Sequence, residues 1–262
     1  MRIGGFLPGR IAENYLDKYE QEEVELRDGE QFRTEKDELL SKRWVRMSDV
    51  NDLIKKHSIH PYSNFTRIRN YHGSADIKQD IKFSGCLYLQ IPCFTGGVYK
   101  VLDKSVKNTN YSYLILDLRK CVGGDFDDCI RSCNLFLSDC EIVSVHNKRA
   151  KASYYADENK KEFQKIFILV DENTMSSAEI MALSLASNSS NVQILGDKTY
   201  GKGVVIKNYI NRKYRCKLSV TAYNWQVNSK SVDSLADYIK RCDDREIWKH
   251  IINEINDENC KR

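Results

Sequence analysis

The sequence predicts an α/β protein with a largely parallel sheet, preceded by a small N-terminal region of helical and irregular character. Two observations carry this reading. From Gly85 onward, short apolar runs alternate with stretches of helical spacing, as strand–helix–strand units require. The 262 residues also suffice to bury one substantial core, with at most a small appendage. The expected division is residues 1–80 and residues 81–262, the latter including a helical tail.

Residues 1–80 carry the weakest pattern. Residues 13–26 read as a charged helix with Tyr15, Tyr19 and Val24 on a thin apolar face, followed by the turn Arg27-Asp28-Gly29-Glu30. Residues 39–56, with Trp44, Val45, Val50, Leu53 and Ile54, fit one or two short helices. His57, His60 and His72 stand in a polar stretch and read as surface-loop residues; their spacing matches no metal-binding pattern.

The alternation then begins. Strands are expected at 86–91, 113–118 and 141–145, with helices at 98–108 and 126–137 between them. The apolar run 166–170 is a further strand, broken by the turn formers Asp171-Glu172-Asn173-Thr174. From Ser177, Ile180, Leu183 and Ala186 recur three apart, with Ala182 and Leu185 widening the stripe, until residues 187–191 stop the helix. A strand at 192–195 leads to Tyr200-Gly201-Lys202-Gly203. Residues 204–210 and 214–221 flank Asn211-Arg212-Lys213 as a hairpin, and 234–241 with 245–255 read as an amphipathic helical tail.

The chemistry lies in residues 165–205. Ser176 and Ser177 fall at the first turn of a helix, where unpaired N–H groups favour negative charge and suit a serine that must carry a tetrahedral intermediate. A capping box of serine with Glu179 accounts for the same residues structurally. Lys202, flanked by glycines that permit close backbone approach, could act as a neutral amine if burial lowers its pKa. The alternative is a surface lysine in a turn.

These motifs resemble the S41 serine peptidase family, the C-terminal processing peptidases or tail-specific proteases. Thr174-Met175-Ser176-Ser177-Ala178-Glu179 is similar to its Thr-x-Ser-x-x-Glu, and Thr199-Tyr200-Gly201-Lys202-Gly203 to its Thr-x-Gly-Lys-Gly. Leu116-Asp117-Leu118-Arg119 with Gly123-Gly124 resembles Leu-Asp-Leu-Arg-x-Asn-x-Gly-Gly, and 85–94 resembles the strand Gly-Tyr-Ile-x-Ile-x-x-Phe. The resemblance covers residues 85–225 in the family's order. It implies a crotonase/ClpP-like core, Ser176 as nucleophile, Lys202 as general base, and the N–H groups of Gly123, Gly124 and Ser177 as an oxyanion hole. Ser177 is the rival nucleophile, but it lies two residues before Glu179 rather than the family's three. The expected reaction is hydrolysis of peptide bonds near the C-termini of unstructured proteins, with no metal or organic cofactor.

Three departures stand against it. Ile206 occupies the position where the family commonly has a glutamine, Cys121 replaces the usual asparagine, and no PDZ domain with its glycine-rich loop is recognisable. Ile206 and the absent PDZ domain favour the alternative of a catalytically silent peptide-binding module of the same fold. A crotonase-like enzyme acting on acyl-CoA would explain the glycines but not the serine with the lysine.

Composition bounds the partners. Lys and Arg (41) nearly balance Asp and Glu (37), giving a net charge of +4 and no electrostatic signature of nucleic-acid binding. No apolar run approaches a membrane span, and the first residues are too short in apolar content for a signal peptide. Nine scattered cysteines suggest reduced thiols rather than a disulfide framework, so a cytoplasmic setting is expected, although relatives are often extracytoplasmic. Cys129 and Cys133 lie four apart without further ligands for a metal.

Overall fold

The computed structural model describes residues 6–67, 78–83, 86–107, 110–158 and 160–260. His72 and Gly85 lie outside them.

In chain order the elements are β1 (Phe6–Pro8), α1 (Gly9–Glu22), α2 (Gly29–Leu40), β2 (Trp44–Arg46), α3 (Met47–His57), β3 (Asn64–Arg67), β4 (Lys78–Phe83), β5 (Cys86–Gln90), α4 (Val98–Lys107), β6 (Tyr113–Asp117) and α5 (Phe126–Asn134). There follow β7 (Glu141–His146), β8 (Lys151–Tyr155), β9 (Lys165–Val170), α6 (Ser177–Asn188), β10 (Val192–Gly196), β11 (Val204–Asn211), β12 (Cys216–Gln226), a 3₁₀ helix (Val232–Tyr238), β13 (Ile239–Arg241) and α7 (Asp244–Cys260).

The chain divides into two compact units. One comprises Met1–His72, His146–Ala150 and Val204–Asn224; the other comprises Gly73–Val145, Lys151–Gly203 and Trp225–Arg262. The hairpin that follows Lys202 in sequence thus belongs with the N-terminal helices.

In the first unit, β12 pairs antiparallel with β11 on one side and with β3 on the other. Leu16 and Tyr19 of α1, Phe32 of α2 and Ile54 of α3 bury their apolar stripes with Phe65, Leu218 and Val220 in one core. The charged helix expected here starts four residues earlier than its pattern suggests, because Pro8 precedes its first turn and fixes the entry. His57 is a correction to the sequence reading. It ends α3 buried, with Nε2 3.2 Å from Glu35 Oε2, because the helix carries it inward beside Phe32.

The second unit holds a six-stranded sheet of order β13-β10-β9-β6-β5-β4. Every pair is parallel except β4 with β5. The central strands β5, β6 and β9 are buried and apolar on both faces, as a doubly covered parallel sheet requires. Tyr88, Ile115, Phe167 and Leu195 pack against Ile247, Ile251 and Ile255 of α7. Residues of the opposite face, Leu87, Leu89, Leu114, Leu116, Ile166 and Ile168, are equally buried. Register aligns them in rows, Leu87 beside Leu114 beside Ile166 and Leu89 beside Leu116 beside Ile168.

One tail element differs from expectation. Residues 234–241 form most of the 3₁₀ helix and then β13, which adds to the sheet edge beside β10. A three-residue edge strand has no periodicity of its own to announce it. Among the described residues no helix is long and apolar enough to cross a membrane, and no group of three or more His, Cys, Asp or Glu is arranged to hold a metal ion.

Candidate active site

Three loops leave the carboxyl ends of the adjacent parallel strands β6, β9 and β10, the position where α/β sheets commonly open a binding crevice. They carry Gly123 and Gly124, Ser176 and Ser177, and Lys202 respectively.

The loop after β9 is closed tightly. Thr174 Oγ1 accepts from the Asp171 N–H and donates to the Leu118 carbonyl, at 2.9 Å in both cases. The Met175 N–H reaches the Cys121 carbonyl at 2.9 Å. Squeezed between these ties and the start of α6, Ser176 adopts φ 58° and ψ −117°. Such a conformation costs a non-glycine residue on the order of 1–3 kcal/mol and marks functional sites. A strained serine on a sharp strand-to-helix turn is also how α/β hydrolases present a nucleophile.

Ser177 is placed differently. It is buried, and its Oγ donates to the Gly124 carbonyl at 3.2 Å. Its own carbonyl accepts from the Cys129 thiol on α5 at 3.1 Å. Its hydroxyl is therefore part of the scaffold, whereas Ser176 stays half-buried at the surface of the turn.

The glycine loop is set by Asp117 and Phe94. Asp117, fully buried at the end of β6, accepts from Tyr88 Oη at 2.6 Å and from Arg119 Nη2 and Nε at 2.5 and 2.9 Å. Phe94 donates its N–H to the Gly123 carbonyl at 2.8 Å and accepts from the Asp125 N–H at 2.6 Å. The chain passes so close that a Cβ on Gly124 would lie 1.8 Å from the Phe94 oxygen. A Cβ on Gly123 would lie 2.6 Å from the Met175 oxygen and 2.8 Å from Ser176 Cβ. Both glycines have positive φ, 79° and 144°. No other residue fits either position.

Cys121, standing where the family has asparagine, is fully buried, and burial pushes its thiol up to about 12. The N–H groups of Gly124 and Ser177 have no hydrogen-bond acceptor among the described residues.

Lys202 is bound into the same corner through its backbone. Its N–H donates to Glu179 Oε2 at 2.9 Å, and that oxygen also receives the Ser176 N–H at 2.7 Å. Its carbonyl accepts from Trp225 Nε1 at 2.9 Å. The Lys202 amine is half-buried, and burial holds its pKa below the usual lysine value, with the charge of Glu179 pulling the other way. The structure thus assembles Gly123, Gly124, Ser176, Ser177 and Lys202 on one rim.

Glu179 and Phe94 were not singled out by the sequence for these roles. The spacing of Glu179 from Ser176 signals a capping box, and that half of its bonding is present; its link to the lysine loop has no local signature.

A parallel α/β sheet with a strained serine at a helix start defines a hydrolase-like scaffold. The family model for peptidase family S41 matches residues 85–232, and the chain belongs to that family. The carboxy-terminal processing protease CtpA of Bacillus subtilis (strain 168) is 40% identical over 122 residues, which is 45% of this chain and 26% of that protein. The matched stretch therefore spans about a quarter of that relative's length.

Among solved structures, a photosystem II D1 C-terminal processing protease superposes with a TM-score of 0.51 at 19% identity, covering 60% of this chain and 42% of the other. A lipoprotein from Streptococcus agalactiae superposes with a TM-score of 0.66 at 17% identity, covering 85% and 86%. These likenesses establish the fold.

Proposed function

We propose that the chain is a serine endopeptidase in which Ser176 and Lys202 form a nucleophile–base dyad. The observation that carries this reading is the shared carboxylate oxygen of Glu179, which holds the backbone amides of a strained serine and a half-buried lysine at one point. A merely structural capping serine needs neither the strain nor the lysine.

In the first step the neutral amine of Lys202 takes the proton of Ser176 Oγ as that oxygen attacks a peptide carbonyl. The resulting oxyanion is held by the N–H groups of Gly124 and Ser177, at the positive end of α6. Gly123, whose carbonyl is held by the Phe94 N–H, sets the position of the Gly124 peptide. Lys202 then delivers its proton to the leaving amine, leaving an ester on Ser176. Water, deprotonated by the same amine, attacks that ester, and the proton returns to Ser176 as the acyl group leaves. No step calls on a metal or organic cofactor. The name of the Bacillus relative points to substrates cut near their C-termini, and unstructured polypeptide is the substrate class that a rim site of this kind can admit.

The reading is tested by covalent labelling with a serine-directed fluorophosphonate, mapped by peptide mass spectrometry. The adduct is expected on Ser176, with Ser177 unmodified. Because only the neutral amine can accept the proton, the labelling rate should rise with pH and level off above the Lys202 pKa, at a midpoint below the usual lysine value. An adduct on Ser177, or a rate indifferent to Lys202→Met, would sink the dyad. Binding of peptides without any labelling would favour the silent module.

A further inference from the structure

We propose that Glu179 is a positioning residue of this site: one buried carboxylate holds the nucleophile's and the base's backbone amides in a single register and sets a fixed negative charge beside the base. Its catalytic meaning rests on the Ser176–Lys202 reading above, whereas its geometry stands on hydrogen bonds alone.

A glutamate at the third position of a helix ordinarily closes a capping box by accepting one N–H, that of the residue before the helix. Glu179 goes beyond this. Its Oε2 accepts from both Ser176 and Lys202, and its Oε1 accepts from the Gly201 N–H at 2.6 Å. Three donors from two loops converge on one side chain that is 0% exposed. The loops leave different strands, β9 and β10, with all of α6 between them in sequence, so no local turn can fix their spacing.

Charge-assisted bonds of this kind are about twice as strong as neutral ones. A neutral amide cannot reproduce the set. Glutamine offers a single acceptor oxygen, and its NH₂ would face at least one of the three donors.

The second effect is electrostatic. The charge of Glu179 bears on Lys202 and favours its ammonium form. Thr174, Ser176 and Trp225, which bond this corner, are uncharged, and Tyr200 is largely exposed. The thiol of Cys129, which donates to the Ser177 carbonyl, and that of Cys121, whose carbonyl accepts from the Met175 N–H, are kept protonated by burial. Burial of Lys202 favours the neutral amine, and Glu179 favours the ammonium, so the carboxylate keeps the base from losing its affinity for the proton it must take.

The experiment compares the full chain with Glu179→Gln and Glu179→Asp, each at a temperature well below its own melting point. Two readouts are taken across pH. The first is acetylation of the Lys202 amine by acetic anhydride, quantified by peptide mass spectrometry, which reports its ionisation whether or not the protein is active. The second is fluorophosphonate labelling of Ser176.

Glu179→Gln should move the Lys202 acetylation midpoint down by about one pH unit, with the labelling limb shifting with it. Its plateau labelling rate should fall roughly 10- to 100-fold through lost register. Glu179→Asp keeps the charge and shortens the arm, so its plateau should fall while its midpoint stays near that of the parent. A Glu179→Gln midpoint that overlays the parent's overturns the charge role, and an unchanged plateau in both variants overturns the register role. Were the parent to show no Ser176 labelling, the dyad reading would fail, while the acetylation midpoints would still decide the charge placed beside Lys202.

Discussion

Ser176→Ala and Lys202→Met are each expected to lower the turnover of an unstructured polypeptide by about 10⁴-fold or more, and the double variant should lose little beyond either single one. The reason is that in the proposed dyad the two side chains act in one proton transfer. Without the lysine the serine hydroxyl is a poor nucleophile at neutral pH, and without the serine the lysine has no proton to take. Methionine keeps the aliphatic stem of Lys202, so the half-buried position stays filled and the loss reports chemistry rather than a cavity.

Ser177→Ala supplies the contrast. It removes one hydrogen bond to the Gly124 carbonyl, 3.2 Å long, and leaves the Ser177 N–H in place. A single neutral hydrogen bond is worth about 0.5–1.5 kcal/mol, so the effect should be about tenfold or less. The measurement is kcat/KM for the four variants beside their thermal melts. Losses that multiply in the double variant, or a Ser177→Ala defect as deep as that of Ser176→Ala, would assign the nucleophile wrongly.

What could be read from the sequence follows from how local the cause is. The parallel core was legible because β5, β6 and β9 are buried on both faces and so read as unbroken apolar runs. Gly123 and Gly124 were legible only through their motif. Nothing nearby in sequence reveals that the Phe94 carbonyl lies where a Cβ on Gly124 would go, since that approach comes from the loop after β5. The N-terminal helices were blurred because α1 and α2 are mostly charged and show only thin stripes, Tyr15, Leu16 and Tyr19 on one and Phe32 on the other. Their stability comes from the shared core with Phe65 and Leu218, residues remote in sequence. Glu179 was the most instructive case. The three-residue spacing from Ser176 was visible, but a carboxylate has two oxygens, and the second partner loop lies beyond α6 and β10.

Gly124→Ala is expected to be the most damaging single substitution in the glycine loop, and two glycines of the loop after β5 separate the causes. Gly96 has open space around its Cβ position and no positive φ. Alanine there should change stability by no more than about 0.5 kcal/mol in the unfavourable direction, with a small gain from a stiffer unfolded chain. Gly97 also has open space but a φ of +127°, so alanine there carries backbone strain alone, roughly 1–2 kcal/mol. Gly124 combines a φ of +144° with a Cβ 1.8 Å from the Phe94 oxygen. That oxygen cannot give way freely, because it accepts from the Asp125 N–H at 2.6 Å and its residue donates to Gly123.

Strain and overpacking together should cost roughly 3–5 kcal/mol. In whatever population remains folded, the displaced Gly124 N–H would no longer meet the developing oxyanion, lowering kcat by a further 10²- to 10³-fold or so. Urea denaturation of the three alanine variants, with kcat measured where each is folded, tests the order Gly96, Gly97, Gly124. Equal destabilisation at Gly97 and Gly124 would mean that dihedral strain alone sets the cost at Gly124 and that the Phe94 strut yields. A destabilised Gly124→Ala with undiminished kcat would remove Gly124 from the oxyanion hole and leave Ser177 as its principal donor.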